Sequence, residues 1–459
     1  MSNHGIDTYT FTNNDEREVE KFVGIECFAT HSIEGIGGEY KTNFKDFIVK
    51  EIDESGKILH IKEDNKNPVF SDELKDKYTT FNLVKINKDT FEAIRQISRI
   101  LRISYIFYSG LKDKNSISVQ KVSVKGNYIE QLKNLQLKDI FIRNITPTKK
   151  PVKLGSHFGN NFTVVIRNIE DRPTLKDIIE KYIKYLNTFG FPNYFGLQRF
   201  GSFRPNSHIV GRYLLEGNHE RVFKEFVLTT FSTESDDSKK IRKECINQNN
   251  LEKAYENFPK NLYYEKNMLK YLIDNPGDYE GCIETIPSDL KNLLISSFQS
   301  YLFNKMLSLR IQKGFSLFKP INGDVISILD DYNGFITQIK YTFGNYYDIY
   351  LKKAMELNRA SIVIPLIGLN TKLDEFPLMG KIYREIIELE NIDDRKFKNY
   401  SINENEFKGA IRPIIVKPIG LKLIEIADDD FNSGKKKIKL EFSLQKGSYA
   451  TMLIRELIK

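Results

Sequence analysis

The stretch YSGLKDKNSISVQ, Tyr108 to Gln120, closes an apolar run at Gly110 and then displays one carboxylate, Asp113, between Lys112 and Lys114. Neighbouring ammonium groups favour the anion, and an ionised, aimed carboxylate is what a nucleophile or a base requires. The preceding YIFYSG would raise the turn from a firm apolar strand, a good mount for a reactive group. Acids and lysines on a turn between strands are usually plain solvated surface. Local physics leaves both readings open.

A second dense stretch is FPNYFGLQRFGS, Phe191 to Ser202. Pro192 and two glycines enforce an irregular loop, into which three Phe and a Tyr are set beside Gln198 and Arg199. Aromatics interleaved with an amide and a guanidinium suit stacking on nucleobases and contact with their edges or phosphates. The same rings would also fill a packed corner. Basic stretches at Lys149, Lys150 and Lys153, and at Lys239, Lys240, Arg242 and Lys243, are candidates for tracking a polyanionic backbone or are solvated surface.

Other chemistries find little support. The six histidines (His4, His31, His60, His157, His208, His219) are scattered singly, and Cys27, Cys245 and Cys282 lack the paired spacing of a zinc site or disulfide framework. No metal is expected. The Gly35–Gly38 run GIGG lacks the full dinucleotide spacing and leads into strand-like EYKTNFKDF, and there is no GK[ST] phosphate loop. No cofactor is expected, and the chemistry falls to carboxylates and lysines.

The elements that must position these residues can be read from periodicity. With 459 residues, 40% hydrophobic and 28% charged, the chain can bury the cores of two or more domains. Its 69 basic and 61 acidic residues leave +8, which favours a polyanionic partner. Phe44 to Ile52, Thr79 to Ile86, Ser116 to Val124 and Asn160 to Ile169 read as strands, as does ISYIFYS before Gly110. Asp89 reads as the cap of a helix reaching about Leu101, with Phe91, Ile94, Ile97 and Leu101 on one face. Leu175, Ile178, Ile179, Tyr182 and Leu186 mark another helix, and LKNLLISSFQSYLFNKMLSLRIQK a longer one. After about Tyr213 the chain turns polar and helix-prone. Strands return at Leu421 to Ile426 and Ile438 to Leu444, around a turn with Asn432, Ser433 and Gly434. The pattern is α+β, with a middle segment inserted into a split domain. No apolar run approaches the about 20 residues of a membrane span, the N-terminus lacks a leader pattern, and the unpaired cysteines fit a reducing, cytosolic compartment.

SGLKDKNSISVQ, NYFGLQRFGS, FQSYLFN and the closing FSLQKGSYATMLIRELIK stand in the order and context found in the TruD family of RNA pseudouridine synthases, which the chain resembles from about Lys41 to Lys459. KTNFKDFIVKEI is similar to that family's N-terminal motif. The resemblance implies that Asp113 is the catalytic aspartate. It places Lys112, Lys41, Asn193 and Phe195 at substrate-binding positions of the active site. One departure stands out: members usually carry Pro-Glu-Asp-Phe where this chain has Phe44, Lys45, Asp46 and Phe47.

The implied fold is an α+β pseudouridine synthase domain with a mixed or antiparallel sheet. It is formed by residues 1–212 and 410–459 and split by an inserted α+β TRUD domain at 213–409. The implied reaction breaks the N1–C1′ bond of uridine, turns the uracil and joins C5 to C1′. No outside atom enters and no cofactor is required. The implied partner is tRNA, with the uridine at position 13 as target, and no protein partner is suggested. Asn193 would hold the uracil edge or the catalytic loop, Phe195 would stack on the extruded base, and Arg199 braces the loop in preference to meeting phosphate. The alternative is a non-catalytic RNA-binding or tRNA-chaperone protein of the same fold. An RNA methyltransferase would need a cofactor loop that is not found.

Overall fold

The computed structural model describes residues 8–11, 16–64, 68–72, 75–201, 203–248, 251–259, 261–344, 346–399 and 407–459. His4 and Ser202 lie outside them. The chain forms two units: Ala29–Phe191 with Val416–Lys459, and Met1–Phe28 with Pro192–Ile415.

The unit built on Ala29–Phe191 holds a nine-stranded mixed sheet among the described residues. Its main strands are β1 (Phe47–Ile52), β2 (Tyr78–Ile86), β3 (Ile117–Lys125), β4 (Ile140–Thr148), β5 (Gly159–Glu170), β6 (Ile419–Asp428) and β7 (Lys435–Gln445). The order is β6-β7-β5-β1-β3-β2-β4. Only β1 and β3 run parallel along this path. These segments are rich in Val, Ile, Thr and Phe, the residues that fit a pleated, half-buried surface. Strand β2 is buried along nearly its whole length, so it reads as a central strand with little polar alternation.

Helix α1 (Thr90–Leu101) starts where expected, with the Asp89 carboxylate accepting from the Glu92 amide at 2.7 Å. Its inward stripe is Thr90, Ala93 and Ile97, with Ile94 and Leu101 half-buried beside it. Phe91, expected on that face, is instead 50% exposed, because it sits about 100° around the helix from Thr90. Helix α2 (Leu175–Phe189) buries Leu175, Ile178, Ile179, Tyr182 and Leu186, the stripe expected for it. Two strand expectations shorten. Phe44–Asp46 is a single 3₁₀ turn, capped by the Asn43 side chain. Within ISYIFYS only Phe107–Tyr108 pairs, with Ser123 and Val122, because β1 already occupies the same edge of β3 at Ile117–Val119.

Helix α3 (Ala450–Ile458) closes this unit. The buried Glu456 carboxylate accepts from the Ala29 amide (3.1 Å), the Thr30 amide (3.0 Å) and the Thr30 hydroxyl (2.5 Å). Gly38 of the GIGG run has φ +93°, and a Cβ there would lie 2.5 Å from the Arg167 carbonyl oxygen. The run is a structural turn, as its spacing indicates.

The other unit carries an antiparallel sheet of Ile336–Thr342, Val325–Leu329, Ala360–Leu366 and Ala410–Pro413, in that order. The long helix Ser288–Gln312 runs through its core. Helix Ser207–Leu215 packs on it so closely that a Cβ on Gly211 would meet the Leu294 carbonyl oxygen at 2.1 Å. Arg242 is buried against Glu234 (3.0 Å) and Glu265 (3.1 Å), which corrects its candidacy for a nucleic-acid surface. Lys149, Lys150, Lys153, Lys240 and Lys243 are exposed. Among the described residues no helix is long and apolar enough to cross a membrane.

Candidate active site

Asp113 lies in the loop from Phe107–Tyr108 to β3, and that loop is pinned at three main-chain points. Gln120 Nε2 donates to the Gly110 carbonyl at 3.0 Å, the Lys112 backbone amide donates to the Thr90 hydroxyl at 3.0 Å, and that hydroxyl donates to Gln120 Oε1 at 3.0 Å. The Asp113 carbonyl accepts from Ser116 Oγ at 2.7 Å and from Lys85 Nζ at 2.6 Å. A loop held this way keeps its side chains in fixed directions. Gly110 leaves room for His157, whose Cε1 lies 3.2 Å from where a Cβ would stand.

The Asp113 carboxylate is 33% exposed and meets the Lys41 ammonium at 2.6 Å. Lys41 Nζ also lies 4.4 Å from the centre of the buried Phe47 ring. Its backbone sits in the left-handed region, at φ +60°, and its carbonyl accepts from Asn115 Nδ2 at 2.8 Å. A non-glycine residue in that region is retained where surrounding contacts hold it. Asp46, within the same motif, receives both Nε and Nη2 of the Arg167 guanidinium at 2.8 Å each. Lys45, at the point of departure from the resembled motif, is exposed.

Lys112 takes a different direction. Its side chain is 3% exposed and its ammonium sits 2.9 Å from Glu51 Oε2, which also accepts from Ser109 Oγ at 2.5 Å. Lys41 and Asp113 are thus brought together, whereas Lys112 is engaged below the loop.

Asn193 and Phe195 form a separate cluster in the other unit. Asn193 Nδ2 donates to the Pro413 carbonyl at 2.9 Å, and the Arg412 guanidinium donates to the Asn193 carbonyl (3.1 Å) and to Oδ1 (2.7 Å). The same guanidinium lies 4.0 Å from the centre of the Phe195 ring, which meets Phe303 edge-on at 5.4 Å. Asn304 clamps Phe195 from both sides of its peptide, accepting from its amide at 2.8 Å and donating to its carbonyl at 3.0 Å. Phe191, Tyr194 and Phe200 are buried, while Phe195 is half-exposed. The loop is therefore a packed corner that leaves one ring partly open. Arg199 donates to Ser300 Oγ at 3.3 Å and accepts at its carbonyl from Ser297 Oγ at 3.1 Å, which is the bracing role.

Lys85, Glu51 and Arg412 carried no sequence signal of their own. Lys85 stands in TTFNLVKI and Glu51 in FIVKEI, where a charged residue on a strand ordinarily marks the solvent face. Asn304 lies in the quoted FQSYLFN, but nothing local told its clamp from ordinary helix polarity.

The model for tRNA pseudouridine synthase D (TruD) matches residues 22–457. A curated relative from Methanococcoides burtonii, named a tRNA pseudouridine synthase D, is 31% identical over 97% of this chain and 98% of its own. One from Methanocaldococcus jannaschii is 32% identical over 92% and 96%. The crystal structure of a Methanosarcina mazei protein assigned to tRNA pseudouridine synthase D superposes with a TM-score of 0.78 at 30% identity, covering 96% of this chain and 98% of that one. From its motifs, its mixed α+β architecture and a family match that runs nearly end to end, the chain belongs to the tRNA pseudouridine synthase D (TruD) family and is an isomerase.

Proposed function

We propose that the protein converts a uridine of tRNA, the one at position 13, to pseudouridine, with Asp113 as the catalytic carboxylate. The observation that carries this reading is the 2.6 Å pair of Asp113 with Lys41 on a partly open, rigidly held loop. The ammonium stabilises the anion that every route needs. That anion serves as nucleophile at C1′ or at uracil C6, or as the base that removes the C2′ proton to give a glycal. Lys41 holds the carboxylate, and Lys112 acts beneath the loop through Glu51 and Ser109.

Extruding a base from its stack costs a few kcal/mol, and an aromatic face returns about 1–3 kcal/mol. A half-open Phe195 ring backed by a cation suits that role, and Asn193, tied into main chain and Arg412, holds the ring's loop. We assign residues 213–409 as the domain inserted in the synthase fold. The cytoplasm is the compartment that suits a tRNA substrate and three cysteines, Cys27, Cys245 and Cys282, that form no disulfide among the described residues.

Asp113→Asn keeps the side-chain shape and removes the charge. It is expected to bind transcribed tRNA with affinity close to wild type and to form no pseudouridine. Substantial product from this variant would remove Asp113 from the reaction. Wild-type protein that binds tRNA without making product would favour the chaperone alternative.

A further inference from the structure

Lys85 sits on β2 with no exposed surface, and its ammonium donates to two main-chain carbonyls, of Asp113 and Lys88, each at 2.6 Å. An ammonium removed from water is costly, and two neutral carbonyls repay less of that cost than a carboxylate would. A methionine would fill the same strand position more cheaply. Such a group is explained if its charge acts on what it touches.

We propose that Lys85 is a positioning residue of the reaction, a buried cation that fixes the Asp113 main chain and supplies positive potential beneath its carboxylate. The inference rests on the reading of Asp113 as the catalytic acid. Three features support it. The carbonyl of the reactive residue itself is the acceptor, so loss of the bond loosens the loop at the residue that carries the carboxylate. Ser116 Oγ also donates to that carbonyl, and it is a neutral donor. The second carbonyl, of Lys88, precedes Asp89, the cap of α1, whose Thr90 hydroxyl receives the Lys112 amide. One ammonium thus ties the loop to the helix start from below.

The charged groups around Lys85 are Asp113, Asp89 and Glu92, which favour its charge, and Lys112, which opposes it. Burial outweighs them and pulls its pKa down from an ordinary lysine's to about 8. The charge is therefore lost within a range where the enzyme can be assayed.

The test compares kcat against pH, from 6.5 to 9.5, for wild type, Lys85→Met and Asp113→Asn, with tRNA affinity measured alongside. Wild-type kcat is expected to decline as pH rises through about 8. Lys85→Met is expected to bind tRNA normally, to turn over roughly ten- to hundredfold more slowly, and to show no decline of its own in that range. A merely structural lysine would lower kcat without removing a pH limb. Wild-type turnover by Lys85→Met, or an identical limb in both proteins, would overturn the proposal. If Lys85→Met does not fold, the wild-type profile decides, and a flat kcat to pH 9.5 overturns it. Product from Asp113→Asn would instead sink the reading of Asp113, which separates the two failures.

Discussion

The Arg412 guanidinium covers the Phe195 ring at 4.0 Å while donating to both oxygens of Asn193, so one side chain holds two residues of the NYFG motif. On the proposed stacking role, Phe195→Ala gives up about 1–3 kcal/mol and should retain weak turnover, roughly ten- to hundredfold below wild type. Arg412→Met loses the cation and its bonds to Asn193, with a stability cost of about 1–3 kcal/mol and a similar loss of rate. Because both changes disturb one assembly, the double variant should lose little more rate than the worse single one. Fully multiplicative losses, measured by pseudouridine formation, would show that the two residues act independently.

The buried charge on Lys85 gives a stability signature as well. Its folded pKa, near 8, lies below the 10.5 of an ordinary lysine, so between those values the unfolded chain binds more protons and stability rises with pH. The full difference corresponds to about 3 kcal/mol. In urea melts from pH 7.5 to 9.5, wild type should gain stability relative to Lys85→Met, whose position cannot titrate. Parallel stability curves for the two proteins would mean that Lys85 does not titrate in this way.

The Ala29–Phe191 unit depends on the C-terminal segment Val416–Lys459. Strand β7 pairs with β5 from Lys435–Glu170 to Gln445–Gly159, and Glu456 of α3 receives Ala29 and Thr30. A fragment of Met1 to Tyr213 lacks β6, β7 and α3 and should show no cooperative melt. In the full chain, Glu456→Gln turns a buried acceptor partly into a donor against those amides and should cost about 1–3 kcal/mol in urea denaturation. A folded, active fragment would refute this dependence.

Features that the sequence determined by itself are those written within a few residues. The Asp89 cap and the stripe of α2 repeat at helical spacing, and β6 and β7 meet through a short polar turn at Asn432–Gly434. The connection that carries Asp113 is likewise bounded by a local Gly and an alternating strand. Such signals survive because backbone hydrogen bonding and side-chain period operate over one or two turns. Phe91 marks their limit: an apolar residue near a stripe carries no statement of how much surface the neighbouring strands leave to cover it.

Which lysine serves Asp113 was decided only by the tertiary structure. Lys112 and Lys114 are its chain neighbours, yet the partner at 2.6 Å is Lys41, 72 positions earlier, while Lys112 turns to Glu51. Adjacent side chains leave the backbone in different directions, so adjacency in sequence does not secure contact. Lys85 lies 28 positions from Asp113 and Arg412 lies 219 from Asn193. Their roles follow from strand order and loop closure, because an ammonium or guanidinium acts on whatever folding brings within a few ångströms, and no local pattern of residues encodes that distance.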